Sequence, residues 1–167
     1  MAPLLAPRQL GVGTPGGAEA IVHATWTFLY SASSQQILLK LDFANAFNSV
    51  RQNSILEAVA LELPQLLLYV SASYESPSSL VFGGFILDFA EGIQQGDPLG
   101  PILFSMAISK VLLLLQSEFT AAYLDDVALG GTIESLEVKL TRFEKHANSV
   151  GLTLNFAARN RRAPACG

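Results

Sequence analysis

The sequence predicts an α+β domain, with helices gathered on one face of an antiparallel sheet. An almost continuous apolar run, ILLKLDF at residues 37–43, has the character of a buried central strand. Two pairs of short apolar segments, one around Gly83 and Gly84 and one around Asp125 and Asp126, read as hairpins. Between them lie stretches whose apolar residues recur at helical spacing. After a first helix, the order is strand, helix, hairpin, helix, hairpin, helix, strand. That mixed order points away from a doubly wound parallel sheet. No internal repeat is visible.

At 167 residues, half of them apolar, the chain can form one domain with a real core. Ten basic and fourteen acidic residues leave a formal charge of −4, which argues against holding nucleic acid through an overall field. The single cysteine, Cys166, excludes an internal disulfide framework and a cysteine-rich metal site. Lys110 and Gln116 bracket the longest apolar stretch, and residues 1–8 lack a signal pattern. A soluble, intracellular protein with no membrane partner is therefore expected.

Residues 1–17 are rich in Pro and Gly and contain Gly11, Gly13 and Gly16, a formal dinucleotide-binding pattern. Pro3, Pro7 and Pro15 deny it the preceding strand and the loop it needs, so a flexible leading segment is the better reading and a nucleotide-dependent oxidoreductase the weakest. Ile21, Val22, Thr25, Phe28 and Leu29 predict a helix over residues 18–30, with His23 and Trp26 at its surface or rim. After the strand ending at Asp42, either Asn45 or Asn48 could cap a helix that runs to about Leu63, where Pro64 interrupts. A further helix reaches Tyr74, and the Gly83-Gly84 hairpin spans residues 79–89. The loop GIQQGDPLG, residues 92–100, places Pro98 in the first turn of the next helix. The Asp-Asp hairpin follows, then a charged helix over residues 133–150 and a short strand over residues 152–156.

Asp125 and Asp126 sit between apolar flanks, where two like charges repel unless cations balance them. Taken alone, such a pair is most often an exposed polar turn. Asp42, at the end of a strand that sheet pairing could bring alongside, changes the reading. Carboxylates converging from neighbouring strands make a hard oxygen site suited to magnesium. Two such ions could drive phosphoryl transfer without a histidine or serine nucleophile. His23 and His146 show no triad pattern.

In sequence order, these residues resemble the reverse transcriptases, most closely those of non-LTR retrotransposons. DFANAFNSV, residues 42–50, is similar to the family's first catalytic block; EGIQQGDPLGPILF, residues 91–104, to its second; AAYLDD, residues 121–126, to its third; and GLTLN, residues 151–155, to the start of its fourth. The resemblance implies a right-hand polymerase palm with a ferredoxin-like sheet, fingers mostly missing and thumb absent. It implies RNA-directed DNA synthesis from deoxynucleoside triphosphates onto a DNA primer paired with an RNA template. Two magnesium ions, with manganese as an alternative, would be held by Asp42, Asp125 and Asp126. Phe43 and Phe47 would lie near the nucleotide, the Phe47 ring beneath the sugar, where it disfavours a ribose 2′-hydroxyl. Gln95 and Gly96 would border nucleotide and template, and Tyr123 the primer end.

Four regions are expected on this basis: a flexible leading segment at 1–17, a remnant of fingers at 18–35, the palm at 36–157 and an atypical tail at 158–167. The family's lysine beyond the fourth block is absent. Ala157 and Ala158 stand there, and Arg159 could neutralise charge but makes a poor proton donor. Missing fingers and thumb would come from a longer chain or a partner. The alternative reading is a non-catalytic remnant or scaffold that keeps the palm. In either case Leu66, Leu67, Leu68 and Leu112–Leu115 are expected to form uncovered apolar faces that favour aggregation.

Overall fold

Antiparallel pairing builds the centre of the molecule in a computed structural model that describes residues 5–7 and 9–155. Strand β1 (Gln36–Leu41) pairs with β5 (Asp126–Thr132), which pairs with β4 (Phe119–Tyr123), giving the order β1-β5-β4. Leu41 lies opposite Val127, and Tyr123 opposite Asp126. Side chains alternate across such a sheet, so Leu41, Val127, Leu129 and Ala122 turn to one face and are buried. That face carries the main core, completed by Ile55, Val59, Phe104, Ile108 and Phe143 from helices α3 (Gln52–Glu62), α5 (Gly100–Leu112) and α6 (Ile133–Ser149).

Mixed helix and sheet are present as the sequence predicts, but the helices are not all on one face. Helix α1 (Gly17–Ser31) packs on the opposite side, where Phe28 stacks on Phe119 with centroids 5.4 Å apart. Gly130 makes room for this: a Cβ there would strike the Phe28 ring, whereas one on Gly131 would face Leu136 of α6. Helical periodicity specifies an apolar stripe, not which sheet face receives it.

The run at residues 37–43 is likewise not a buried central strand. Among the described residues β1 pairs with β5 alone, so it is an edge, and Ile37 is 39% exposed while Leu41 and Phe43 are buried. The helix after Asp42 is split into α2 (Ala46–Ser49) and α3 by extended backbone at Val50. Hydrogen bonds explain the break: the Val50 carbonyl accepts from the Gly92 N–H, and the Arg51 N–H donates to the Val150 carbonyl. Asn45 has φ 52° and offers no side-chain cap; its Oδ1 accepts from Asn48 Nδ2 at 2.6 Å instead.

A 3-10 turn at Pro64–Leu66 leads into α4 (Leu67–Tyr74), and strands β2 (Ser78–Phe82) and β3 (Phe85–Phe89) form the expected hairpin across Gly83 and Gly84. Pro98 lies outside α5; Pro101 occupies its first turn, because Asp97 accepts from the Leu99 and Gly100 N–H groups and closes a separate turn. The final strand is reduced to a bridge between Phe43 and Leu154, flanked by bonds from Ala44 N–H to Thr153 and from Asn155 N–H to Asp42. Phe156, Ala157, Ala158, Arg159, Cys166 and the rest of the tail lie outside the described residues.

Leu112 and Leu115 are buried, contrary to the expected bare patch, while Leu68 is 88% exposed and Leu113 42%. No helix among the described residues is long and apolar enough to cross a membrane. The leading segment, expected to be flexible, is pinned where Gln9 bridges Ala122 and the Leu10 N–H donates to the Ala122 carbonyl at 2.8 Å.

Gly92 has φ 80°, and a Cβ there would lie 2.6 Å from the Asn48 backbone, which cannot yield. Gly92→Ala should therefore lower the urea-unfolding free energy by about 2 kcal/mol or more through strain and collision. Gly83→Asn, at φ 54° in open space, should change it by roughly 0.5 kcal/mol or less, since Asn tolerates that conformation.

Candidate active site

The acidic end of the sheet is assembled by two local features. Asp42 follows the last residue of β1, and Leu124 with Asp125 forms the two-residue turn between β4 and β5, with Asp126 opening β5. Leu124 takes φ 54°, a position in such turns that usually favours glycine. Asp42 and Asp125 are half-buried and Asp126 is exposed.

Lys40 Nζ lies 2.8 Å from Asp126 Oδ1. Its hydrogen bond to Asp126 holds the ammonium above its ordinary range against the cost of partial burial, and the charges of Asp126, Asp42 and Asp125 act in the same direction. One cation thus feels all three carboxylates. Asp42 is fixed from the other side, its Oδ2 accepting from Asn155 Nδ2 at 3.0 Å and its carbonyl from the Asn155 N–H at 2.8 Å.

The carboxylate oxygens are the donor type magnesium prefers. Among the described residues no group of three His, Cys, Asp or Glu side chains closes into a metal cage. Magnesium commonly uses one or two carboxylates, completing its shell with water and substrate phosphate, and Asp42 and Asp125 are carboxylates of that type at one end of the sheet, while Lys40 engages Asp126.

The residues matched to nucleotide binding are placed unequally. Phe47 is half-buried, its ring stacked on that of Phe104 at 4.2 Å with planes 16° apart. Phe43 is 4% exposed and packs against Phe143 at 5.8 Å, so its ring belongs to the core and offers no surface to a nucleotide. Gln95 and Gly96 are exposed at the tip of the loop, and Gly96 has φ 86° with open space around it. Tyr123 is 38% exposed on the same sheet face as Asp126. Beside Tyr123, Lys40 and Asp126, a groove of about 390 Å³ runs between the sheet and Ala18, Ile21 and Thr25 of α1.

The loop is braced from two sides. The Ile93 N–H donates to the Phe47 carbonyl at 2.7 Å, which ties the loop to the aromatic it would work beside. From α4, Tyr74 Oη donates to Asp97 Oδ2 at 2.6 Å and accepts from the Gln94 N–H at 3.2 Å. Gln94 Nε2 reaches the Ser73 carbonyl at 2.6 Å. Burial, then the bond to Asp97, pushes the Tyr74 phenol far above its usual range, so it remains a donor at any working pH.

Sequence reasoning assigned no role to Lys40, Tyr74, Asp97, Asn155 or Gln9. Lys40 was within reach, since it stands two residues before Asp42 and so shares its side of an extended strand. Gln9 gave no local signal: its side chain bonds to Leu124, 115 residues away.

A family profile described as reverse transcriptase (RNA-dependent DNA polymerase) matches residues 3–157. The Pol polyprotein of the type-2 retrotransposable element R2DM from Drosophila melanogaster is 31% identical over 169 aligned positions, covering 89% of this chain. That of the type-1 retrotransposable element R2 from Nasonia vitripennis is 32% identical across 68% of this chain. The chain spans 16% and 13% of those two relatives. Among solved structures, apo telomerase from Candida tropicalis superposes with a TM-score of 0.61 at 11% identity, over 84% of this chain and 31% of that one. Telomerase from Candida albicans with a fragment of telomeric RNA gives 0.53 at 12% identity, over 90% of this chain and 30% of that one. At such identities the structural likeness speaks for the fold.

Tyr74→Phe removes the donor to Asp97 and the acceptor for Gln94 while keeping the ring. It should cost about 1–3 kcal/mol in denaturant unfolding and increase proteolytic nicking of residues 92–97.

Proposed function

Because the chain belongs to the reverse transcriptase (RNA-dependent DNA polymerase) family, we propose that it supplies the catalytic palm of an RNA-directed DNA polymerase of non-LTR retrotransposon type. The observation that carries this reading is the gathering of Asp42, Asp125 and Asp126 about Lys40 at one end of the sheet. Residues 36–157 would be the palm, a variant of the ferredoxin-like arrangement, and residues 18–35, which hold most of α1, the remnant of fingers. Substrates would be an RNA template, a DNA primer and deoxynucleoside triphosphates. With a net charge of −4, the grip on nucleic acid falls to fingers and thumb supplied by a longer chain or a partner.

Asp42 and Asp125 would hold divalent magnesium, or manganese, and Asp126 would support the site. When bound, two such ions lower the pKa of the primer 3′-hydroxyl and stabilise charge on the reacting phosphorus and the departing pyrophosphate. Asn155 restrains the Asp42 carboxylate by donating to its Oδ2, a bond that does not take up its second oxygen. Lys40 offsets the repulsion among the three acids. Phe47, stiffened by its stack on Phe104, presents a bulky floor that a ribose 2′-hydroxyl would meet. Gln95 and Gly96 would line the nucleotide and template, with Gly96 letting backbone approach closely. Tyr123 would flank the primer end.

Primer extension on an RNA template with deoxynucleotides and magnesium tests the reading. Asp42→Asn and Asp125→Asn should each lower the rate on the order of 100-fold or more, and Asp126→Asn, whose carboxylate is engaged by Lys40, should lower it less. Phe47→Ala should narrow the preference for deoxynucleotides over ribonucleotides. An Asp125→Asn chain that extends primers as fast as the unaltered one would contradict the assignment.

A further inference from the structure

The turn carrying Asp125 holds its preceding residue, Leu124, at φ 54°, a left-handed conformation that L residues rarely adopt. The two-residue hairpin turn itself calls for this conformation, and a contact from outside the hairpin supports it. Gln9 is 1% exposed, and its carboxamide meets the Leu124 backbone in both directions. Its Nε2 donates to the Leu124 carbonyl at 3.0 Å, and its Oε1 accepts from the Leu124 N–H at 2.7 Å. The same oxygen accepts from the Gly11 N–H at 3.0 Å, which locks the side chain back onto its own segment. Gly11 is fitted to this contact, since a Cβ there would lie 2.7 Å from Leu124 N and 2.9 Å from Leu124 Cγ. Leu10 extends the attachment by pairing with Ala122 on β4.

We propose that Gln9 is a positioning residue for the metal-binding turn: its paired hydrogen bonds hold Leu124 in the left-handed conformation and thereby fix where the Asp125 carboxylate points. The inference rests on the reading of Asp125 as a metal ligand, but the clamp itself is a matter of backbone geometry. It also gives a role to Gly11, a residue of the glycine pattern that resembles a dinucleotide fingerprint. A rigid turn matters because misplacing a catalytic group by about 1 Å can cost on the order of 100-fold in rate.

Gln9→Met keeps the length and apolar stem of the side chain but removes all three hydrogen bonds, two to Leu124 and one to Gly11. In the full chain, hydrogen exchange at the amides of Leu124 and Asp125 should accelerate about tenfold or more, with exchange in α5 and α6 unchanged. Primer extension should lose several-fold in kcat with little change in the KM for deoxynucleotide. Leu124→Gly removes the conformational penalty, so Gln9→Met/Leu124→Gly should regain part of the lost kcat, which a general weakening of the fold would not allow. In the unaltered chain the Gln9 side-chain amide protons should exchange far more slowly than those of exposed Gln95, a comparison that needs no variant. Unchanged exchange at Leu124 in Gln9→Met, or unprotected Gln9 side-chain protons, would overturn the clamp. Absence of extension by the unaltered chain together with accelerated exchange in Gln9→Met would uphold the clamp and tell against the polymerase reading alone.

Discussion

The antiparallel register between β1 and β5 determines what can happen at the acidic end of this molecule. With Leu41 set against Val127, Asp42 emerges beside the start of β5, and the tight turn from Tyr123 to Asp126 brings Asp125 to the same end. A slip of one residue would send Lys40 into the core and turn Leu41 outward, because neighbours on a strand face opposite sides. The burial of Leu41, Val127 and Leu129 against α5 and α6 opposes that slip. Core packing thus fixes the register, and the register gathers the carboxylates.

Gathering like charges has a cost, and the surroundings offset it locally. Lys40 and Asp126 are both more than half exposed, so their pair contributes about 1 kcal/mol or less to stability, and its consequence lies in charge balance instead. Asn155 donates to Asp42, and Gln9 holds the turn before Asp125. The loop bearing Gln95 and Gly96 is held by Tyr74 and by the backbone of Phe47. Each such bond is modest in net stability, about 1 kcal/mol, but a buried backbone group left without a partner costs more. The arrangement favours one geometry over many close alternatives, which is what the proposed in-line phosphoryl transfer would require.

That Asp42, Asp125 and Asp126 lie at one end of the sheet was legible because acids interrupting apolar strands are conspicuous, and the Gly83-Gly84 hairpin because its glycines supply the positive φ a tight turn needs. The α+β class followed from the order of elements. What escaped were choices set between distant segments. Phe43 looked like part of the site but turns into the core against Phe143, and the apolar run before it marks an edge strand rather than a central one. Helix α1 took the unexpected sheet face because Gly130 leaves a hollow for Phe28. The break at Val50 and Arg51 arises from bonds to Gly92 and Val150, and the Tyr74 and Gln9 contacts likewise join residues with no periodic relation. Local pattern reports propensity, and these features are decided by tertiary pairing.

Asp42 and Asp125 are proposed to form one divalent-cation site. Titrating manganese into the isotopically labelled chain and following paramagnetic broadening of its amide resonances tests this most directly. Broadening should begin together at residues 41–43 and 123–127, and Asp125→Asn should weaken it at both. Broadening centred elsewhere, or at one of these segments without the other, would contradict it.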